Sequence, residues 1–393
     1  MSLRILHVTP YFTNAWAYGG IPRLATTLTT GLVRRGHRVT VCTTDVCDRD
    51  SRLPTRAPSP SPSGPDVHVF RNWSNQLAYE LQLFTPIGLR SYLDGADAQF
   101  DIAHIHGHRH ALEVVAGRWC RQARVPYVAA PNGTAPRLER RQTLKRVWDS
   151  VWGQRDLAGA AAVVAVSQAE RAQLLALGVE PARIRIVPNP LDLDEWTPPP
   201  VRGVFRRQRG LGDAPLVVFL GKITPRKRLD VVVAAMPLVN ARQARLIVAG
   251  NEMGAGRAAR RLAAARGVAD RIEWVGLLTG RARLELLADA DIVVYPSADE
   301  VFGLVPLEAL LCGTPVVVAD DSGCGEVVGR LEGGQVVTVG DPASLAAAID
   351  RVLASPQDWR ARAAEGAAQV RARFGGSVVA EQVDALYREV LAR

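Results

Sequence analysis

Short runs of aliphatic and β-branched residues alternate along this chain with longer segments that have helical periodicity. In the helix predicted at 22–35, Leu24, Leu28 and Leu32 share one face and Gly36 follows as a stop signal. Such alternation is typical of parallel sheets wrapped by helices. Strands are predicted at 5–8, 39–43, 102–105, 127–130, 162–166, 184–187, 216–220, 246–249, 272–275, 292–295 and 316–318. Further helices are predicted at 228–239, 255–266, 282–288, 305–311 and, interrupted by Gly375 and Gly376, at 342–393.

Residues 188–203 (PNPLDLDEWTPPPVRG) are rich in proline and have no hydrophobic periodicity, which indicates a linker between two domains. A chain of 393 residues also exceeds the size of one ordinary core. We therefore predict an α/β fold with a first domain at 1–190, a linker at 191–203 and a second domain at 204–375. Open parallel sheets bind ligands beyond the carboxyl ends of their strands, so we expect the site in a cleft between the domains.

The composition, with 48% hydrophobic and 22% charged residues, is that of a globular protein and excludes a disordered chain. No run of 18 apolar residues occurs, and the first predicted strand has no signal peptide ahead of it. These features predict a cytoplasmic protein. The five cysteines lack zinc-binding spacing, and we interpret them as buried or idle thiols.

The net charge of +9 favours anionic ligands, but it does not choose between nucleic acid, phosphoryl groups and an acidic membrane face. Of the 48 basic residues, only Lys145, Lys222 and Lys227 are lysines. Two of them lie in the loop after the first strand of the second domain, where both can converge on one diphosphate. Each such charge-assisted hydrogen bond contributes about 1.5–3 kcal/mol. The alternative is a solvated loop, in which arginine would serve equally well.

A second segment, residues 291–319, combines a strand, a polar loop with Glu300, a glycine at 303 and a helix that opens near Leu304. The N-terminus of such a helix offers N–H groups and a positive dipole to a phosphate. Glu308 lies about one turn into the helix and is expected to face the loop. Phosphate alone would repel two carboxylates, so we interpret them as acceptors for sugar hydroxyls. The alternative is that both acids are structural, one in a loop and one favouring the helix dipole.

Together these motifs resemble the family 4 retaining glycosyltransferases, which have the GT-B fold of two Rossmann-like, doubly wound parallel-sheet domains facing across a cleft. The resemblance covers nearly the whole chain. It rests on the spacing of Glu300 and Glu308, residues 302–305 (FGLV), the loop with Lys222 and Lys227, Gly19-Gly20, the strand end from Asp101 to His106, residues 166–168 (VSQ), and Pro188-Asn189 with Asp192.

The resemblance implies a role for each matching residue. Lys222, which stands where the family usually has Arg, and Lys227 would bind the donor diphosphate. Glu308 would hold the ribose hydroxyls, and the last helix, at about 376–393, would join the first domain. The transferred sugar would be held by Glu300 and by the backbone N–H groups around Phe302, Gly303, Leu304 and Val305. Gly19 and Gly20 would allow the first loop to close over the diphosphate. His106 would contact the sugar near its reacting face. His106, Lys222, Lys227 and Glu300 are thus the predicted catalytic residues.

The sequence departs from the family pattern at a few positions. Pro190 and Leu191 replace the usual Gly-Val before Asp192, Arg228 replaces a usual glycine, and Asn132 occupies a position where some relatives have histidine. These changes concern the acceptor side and the hinge rather than the donor site.

We expect no metal and no other cofactor, because two lysines and a helix terminus can stabilise the leaving diphosphate. The Asp-x-Asp patterns at 48/50, 192/194 and 289/291 are interpreted as turns or element ends. Among the alternating histidines from His104 to His110, we assign substrate contact to His106 and packing to the others. Retention requires either a carboxylate nucleophile or same-face attack assisted by the leaving phosphate, and we favour the latter.

The predicted partners are a nucleoside-diphosphate sugar and a glycan or lipid-linked saccharide acceptor in polysaccharide or glycoconjugate synthesis, with no nucleic acid. Residues 137–155 form a basic amphipathic pattern that either packs on its own domain or docks peripherally on the inner face of an anionic membrane. The alternative functions are a nucleotide-sugar epimerase or hydrolase on the same fold, and a non-catalytic sugar-nucleotide-binding protein.

Overall fold

The computed structural model describes residues 2–13, 15, 18–48, 50–54, 64–81, 83–95, 99–136, 143, 146 and 148–393. The chain divides into two compact units, of which unit 1 comprises residues 1–192 and 374–393 and unit 2 comprises residues 193–373. Each unit contains one parallel sheet with helices, which confirms the predicted α/β class. Within the described ranges, no helix combines the length and the apolar character needed to cross a bilayer.

Unit 1 contains a seven-stranded sheet in the order β3-β2-β1-β4-β5-β6-β7. Its strands are β1 (Arg4–Val8), β2 (Arg38–Thr44), β3 (Asp66–Phe70), β4 (Ile102–His106), β5 (Tyr127–Ala130), β6 (Ala162–Ala165) and β7 (Ile184–Ile186). Its helices are α1 (Gly20–Arg34), α2 (Asn75–Leu81), α3 (Leu89–Leu93), α4 (Ala111–Ala123), α5 (Gln154–Gly159), α6 (Gln168–Ala176) and, at the end of the chain, α15 (Gly376–Leu391).

The C-terminal helix α15 packs on α1, where small residues allow a close approach of the two backbones. A Cβ atom on Gly31 of α1 would lie 2.8 Å from the Cβ of Ala380. Around this contact, Leu28 and Leu32 of α1 share one buried apolar cluster with Val383 of α15. The burial of these aliphatic side chains is what holds the last segment of the chain on unit 1.

Unit 2 contains a six-stranded sheet in the order β10-β9-β8-β11-β12-β13. Its strands are β8 (Leu216–Leu220), β9 (Arg245–Ala249), β10 (Ile272–Gly276), β11 (Ile292–Tyr295), β12 (Val316–Ala319) and β13 (Gly334–Val337). Its helices are α7 (Val204–Arg209), α8 (Leu229–Ala235), α9 (Gly256–Ala265), α10 (Gly280–Asp289), α11 (Leu304–Leu311), α12 (Gly323–Val328), α13 (Pro342–Ala354) and α14 (Pro356–Phe374).

The strand order of each sheet reverses at one point. In unit 1 this point lies between β1 and β4, and in unit 2 between β8 and β11. Connections leave these neighbouring strands toward opposite faces of the sheet, which opens a crevice at the carboxyl ends. The loops after β1, β8 and β11 and the end of β4 carry the residues predicted for the site. The topology therefore brings the predicted residues of each unit to the crevice of its own sheet.

Two strands were not predicted from the sequence, and both lie at sheet edges. In β3 no residue is fully buried, and β13 has the short sequence Gly-Gln-Val-Val. An edge strand pairs with a neighbouring strand along only one edge and is less buried, so its hydrophobic pattern in the sequence is weak. The predicted linker is also partly structured, since Leu193–Trp196 form a 3₁₀ turn in unit 2. In the basic amphipathic segment at 137–155, residues 137–142, 144, 145 and 147 lie outside the described residues.

Glu170 predicts a measurable dependence of stability on pH. Its carboxylate accepts hydrogen bonds from the backbone N–H groups of Gly133 (2.5 Å) and Val166 (2.8 Å), and its burial raises the pKa from 4.5 to about 7. The folded state then binds the proton more tightly than the unfolded state. We expect the free energy of unfolding to fall by about 3 kcal/mol as pH rises from 4.5 to 7. Urea titrations should show this fall, and Glu170→Gln should remove it, whereas Glu180→Gln at an exposed position should not.

Candidate active site

The loop after β8 is anchored against the loop after β9. A Cβ atom on Gly250 would lie 1.8 Å from the carbonyl oxygen of Gly221, so only glycine permits this approach. Ile223 donates its N–H to the carbonyl of Asn251 at 2.9 Å. Lys222, between these anchors, is partly exposed at the carboxyl end of the sheet. The sequence predicted this loop, and the structure shows that its path is fixed by backbone contacts.

The same loop ends in a 3₁₀ turn, Pro225–Lys227, followed by Arg228 in the left-handed conformation (φ 53°). Such a conformation is strained for most residues and favours glycine. This explains why glycine is usual here in the family that the sequence resembles. The Arg228 guanidinium turns away to pair with Asp230 at 3.2 Å.

Backbone contacts join this loop to the loop after β11. Ala298 donates its N–H to the carbonyl of Arg226 at 2.9 Å. The Lys227 ammonium thereby reaches the Glu300 carboxylate and the Tyr295 hydroxyl, and its Nζ lies 4.5 Å from the centroid of the Tyr295 ring. Two of the predicted catalytic residues, from segments more than 70 positions apart, thus form a direct ion pair.

The Glu300 carboxylate is held ionised by its surroundings. Burial alone would raise its pKa, but the positive charges of Lys227 and Arg226 outweigh this and lower the pKa to about 2. The hydroxyls of Tyr295 and Ser297 both donate to Oε2 at 3.2 Å. The Lys227 ammonium contacts the same oxygen. An anionic acceptor of this kind is suited to bind the hydroxyl groups of a polar ligand.

Gly303 fixes the entry to α11. It lies at φ 80° immediately before the helix, and a Cβ atom there would lie 2.5 Å from the Sγ of Cys324. Cys324 in turn donates its N–H to the carbonyl of Glu300 at 2.7 Å. The helix has no side-chain cap, so the N–H groups of Leu304 and Val305 at its first turn have no intrahelical acceptor. An anion at this end would be stabilised by the helix dipole.

Replacement of Gly303 by alanine is expected to destabilise unit 2 and to weaken anion binding at the first turn of α11. The added Cβ meets both an unfavourable φ and the Cys324 sulfur, which together cost about 1–3 kcal/mol. Chemical denaturation and titration calorimetry measure the two effects. The double variant Gly303→Ala/Cys324→Gly should recover part of the stability because it removes the clash but not the strain. A single variant as stable as the parent chain would contradict this geometry.

Glu308 has a different environment from the one expected of a free acceptor. Its side chain is fully buried, and Oε2 contacts the guanidinium of Arg283 on α10. Arg283 also binds Glu195 of the 3₁₀ turn at 2.5 Å. Sequence reasoning did not identify Arg283. The only signal available was an arginine on the otherwise apolar face of α10, next to the buried Leu284 and Leu287.

The Asp-x-Asp pattern in unit 2 has structural partners. Asp289 accepts hydrogen bonds from backbone N–H groups of the turn that opens α7, and Asp291 pairs with arginine side chains at 2.7–3.5 Å. The pattern at 48/50 closes a turn, since Asp48 accepts N–H groups from residues 50 and 51. The carboxylates of Asp48, Asp289 and Asp291 are therefore engaged by the fold.

In unit 1 the predicted residues lie at the crevice between β1 and β4. Gly19 has φ 96°, a conformation that favours glycine, and α1 begins at Gly20. His106 is the last residue of β4 and is 1% exposed. Its Nε2 lies 3.0 Å from Nδ1 of His7 on the neighbouring strand. The imidazole is thus held by the sheet rather than by a loop.

Comparison with known proteins agrees with this architecture. The family model for glycosyltransferase family 4 matches residues 18–195, and the model for glycosyl transferases group 1 matches residues 202–370. The D-inositol 3-phosphate glycosyltransferase of Xylanimonas cellulosilytica is 31% identical to this chain over 95% of this chain and 93% of its own length. The enzyme of the same name from Frankia alni is 32% identical over 95% of both chains. This chain belongs to glycosyltransferase family 4.

Solved structures show the fold of this family 4 glycosyltransferase. Sucrose-phosphate synthase of Thermosynechococcus elongatus superposes with a TM-score of 0.75 at 24% identity and covers 99% of both chains. HepE of Anabaena, in complex with UDP and glucose, superposes with a TM-score of 0.75 at 18% identity and covers 98% of this chain and all of its own. These structures confirm the predicted GT-B fold, and the family membership confirms the predicted enzyme class.

Proposed function

We propose that this glycosyltransferase moves a hexosyl unit from a nucleoside-diphosphate sugar to a hydroxyl group of a glycan or lipid-linked saccharide, with retention of the anomeric configuration. The observation that carries the proposal is the ion pair of Lys227 and Glu300 beside the uncapped first turn of α11. It combines a cation and helix N–H groups for phosphate with an ionised acceptor for sugar hydroxyls.

The departure of the nucleoside diphosphate creates negative charge that the site must stabilise. In the proposal, Lys227, Lys222 and the N-terminus of α11 supply this stabilisation, so no metal ion is required. A bound diphosphate would attract the Lys227 ammonium and leave Glu300 available to the sugar. The sugar would also contact backbone N–H groups of residues 302–305.

Three further roles complete the proposal. Glu308 would bind the ribose hydroxyls while it shares its charge with Arg283. Gly19 and Gly20 would allow the loop after β1 to approach the diphosphate. His106 would contact the transferred sugar.

The environment of Glu300 favours same-face attack over a double displacement. The hydroxyls of Tyr295 and Ser297 both donate to Oε2 of Glu300, and these hydrogen bonds weaken the carboxylate as a nucleophile even when Lys227 binds the diphosphate. Glu300 therefore fits the role of a hydroxyl acceptor. In the proposed reaction the incoming hydroxyl attacks the face that the phosphate leaves, and a phosphate oxygen takes its proton.

The acceptor has two candidate classes. The sequence predicts a saccharide in polysaccharide or glycoconjugate synthesis, and a lipid-linked acceptor would place the enzyme at the inner face of a membrane. The relatives from Xylanimonas cellulosilytica and Frankia alni carry the name of an enzyme that acts on D-inositol 3-phosphate, which favours a small phosphorylated polyol as the second candidate.

The decisive test measures release of nucleoside diphosphate from UDP-, GDP- and ADP-sugars with and without each acceptor class. Transfer predicts that release depends on added acceptor and that the product keeps the anomeric configuration of the donor. Release at the same rate without acceptor would instead indicate a hydrolase, and a changed sugar with no release would indicate an epimerase. A thermal-shift panel of the same nucleotides selects the base, because a ligand stabilises the folded state by RT ln(1 + [L]/Kd).

A further inference from the structure

A buried hydrogen-bonded chain links the C-terminal helix to His106. On β1 and β4, His7, His104 and His106 are 0–2% exposed, and Tyr387 of α15 is fully buried beside them. The Tyr387 hydroxyl lies 2.7 Å from Nδ1 of His104 and 3.3 Å from Nε2 of His7. Nδ1 of His7 then lies 3.0 Å from Nε2 of His106. We call these four side chains the histidine–tyrosine chain.

The three imidazoles lie close enough to suggest a metal site, since one nitrogen from each falls within 4.8 Å of the others. Their orientation argues against it. The imidazole planes are nearly parallel, with interplanar angles of 12–25°, whereas the ligands of a tetrahedral ion approach it from different directions. Both nitrogens of His7 are also engaged by His106 and Tyr387. A relay of hydrogen bonds accounts for the arrangement better than an ion.

All three imidazoles are neutral in this environment. Burial lowers the pKa of His7 and His104 well below 6.5, and their imidazole neighbours lower it further. Burial likewise lowers the pKa of His106 to about 4. Each ring therefore carries one N–H and one lone pair, and each contact in the chain requires a donor to face an acceptor.

The Tyr387 hydroxyl determines the direction of the whole chain because it has a single proton. Because O–H donors make shorter hydrogen bonds than N–H donors, we assign this proton to the shorter contact, with Nδ1 of His104. The hydroxyl oxygen must then accept from Nε2–H of His7, which leaves a lone pair on Nδ1 of His7. Nε2 of His106 must donate to that lone pair, so Nδ1 of His106 carries no proton. Among the described residues this Nδ1 has no hydrogen-bond partner.

We propose that Tyr387 and His7 are positioning residues that fix the tautomer of His106, so that its Nδ1 is a permanent hydrogen-bond acceptor at the carboxyl end of β4. The inference rests on the proposed function in one respect, namely that the group presented to this acceptor is a hydroxyl of the transferred sugar. It gives α15 a role beyond packing, since the helix supplies the hydroxyl that orders the chain.

The test is to replace Tyr387 by phenylalanine and to read the tautomers directly. Long-range ¹H–¹⁵N spectra of the full chain, labelled in its seven histidines, distinguish Nδ1–H from Nε2–H. His106→Gln assigns the signals. In the parent chain we expect a single His106 tautomer with the proton on Nε2. In Tyr387→Phe we expect a mixture of tautomers and a fall in kcat of about tenfold, the contribution of one hydrogen bond.

Tyr127→Phe is the matched control. Tyr127 is also a buried tyrosine of unit 1, and its hydroxyl donates to the carbonyl of Asp156 at 2.6 Å, outside the histidine–tyrosine chain. This variant should lose comparable stability but keep the tautomer of His106. A second pair of variants tests whether any hydrogen-bond acceptor at the position of His7 Nδ1 is enough to hold the proton on His106. His7→Asn places an amide oxygen where Nδ1 stood and should keep Nε2–H on His106, whereas His7→Leu should release it.

The outcomes separate the inference from the proposed function. An unchanged His106 tautomer in Tyr387→Phe and in His7→Leu would overturn the inference, whatever the activity. If the tautomer shifts as expected and the parent chain binds no nucleoside diphosphate in calorimetry, the chain of hydrogen bonds stands and the donor proposal fails. A shifted tautomer with unchanged kcat would overturn the part that assigns His106 to the sugar.

Discussion

Lys227→Met is expected to lower kcat/KM by about 10²–10³-fold, because the variant would lose a cation that we propose stabilises the developing phosphate charge. The ammonium also neutralises Glu300, so the variant leaves a carboxylate without its closest cation. Both effects act in the same direction on activity. Steady-state kinetics with the best donor from the nucleotide panel measures the first, and urea denaturation measures the second.

Two further variants separate the effect of the Lys227 charge on activity from its effect on stability. In Lys227→Met/Glu300→Gln both charges are removed, so we expect recovered stability without recovered activity. Arg228→Gly removes a neighbouring positive charge that faces Asp230, at a position whose backbone favours glycine. It should keep most of the activity. Equal loss of activity in Arg228→Gly and Lys227→Met would show that general charge, rather than Lys227 itself, matters.

Arg283→Met is expected to lower the free energy of unfolding by about 3–5 kcal/mol, the cost of removing one partner from a buried ion pair. Glu308 is 0% exposed, and its carboxylate contacts the Arg283 guanidinium. A methionine at position 283 has no N–H donors to replace that contact. The effect is read from urea denaturation followed through the fluorescence of the chain's tryptophans.

The double variant Arg283→Met/Glu308→Gln should be markedly more stable than Arg283→Met alone. With Glu308→Gln as the second single variant, the double-mutant cycle should give a coupling energy of about 2 kcal/mol. Arg281, two positions earlier on α10, pairs with Glu285 at the surface. Arg281→Met should therefore lower the free energy of unfolding by less than about 1 kcal/mol. A cost for Arg283→Met as small as that of Arg281→Met would contradict the buried pairing of Glu308.

The fold could be predicted from sequence because its strongest signals are local. Central strands such as β8 and β11 are continuous aliphatic runs, and they are buried on both faces of their sheets. The same local signals place Lys227 and Glu300 in loops after neighbouring strands. Sequence spacing could therefore predict that both belong to one site.

The partners of the charged side chains could not be predicted, because they depend on contacts between distant segments. The pairing of Glu308 with Arg283 joins two helices, and the contact of His104 with Tyr387 spans 283 positions. No local pattern reports which rotamer each side chain adopts. Arg228 is a different case. The sequence shows that arginine replaces the usual glycine, but only the structure shows that the backbone there is left-handed and therefore strained for arginine.

A crystal structure with a bound nucleoside-diphosphate sugar tests the central claim most directly. The account predicts phosphate oxygens within hydrogen-bonding distance of Lys227 Nζ and of the first N–H groups of α11, with a sugar hydroxyl on Glu300. A nucleotide bound away from the loops after β8 and β11, or a Lys227–Glu300 pair that stays closed with the phosphates elsewhere, would contradict it.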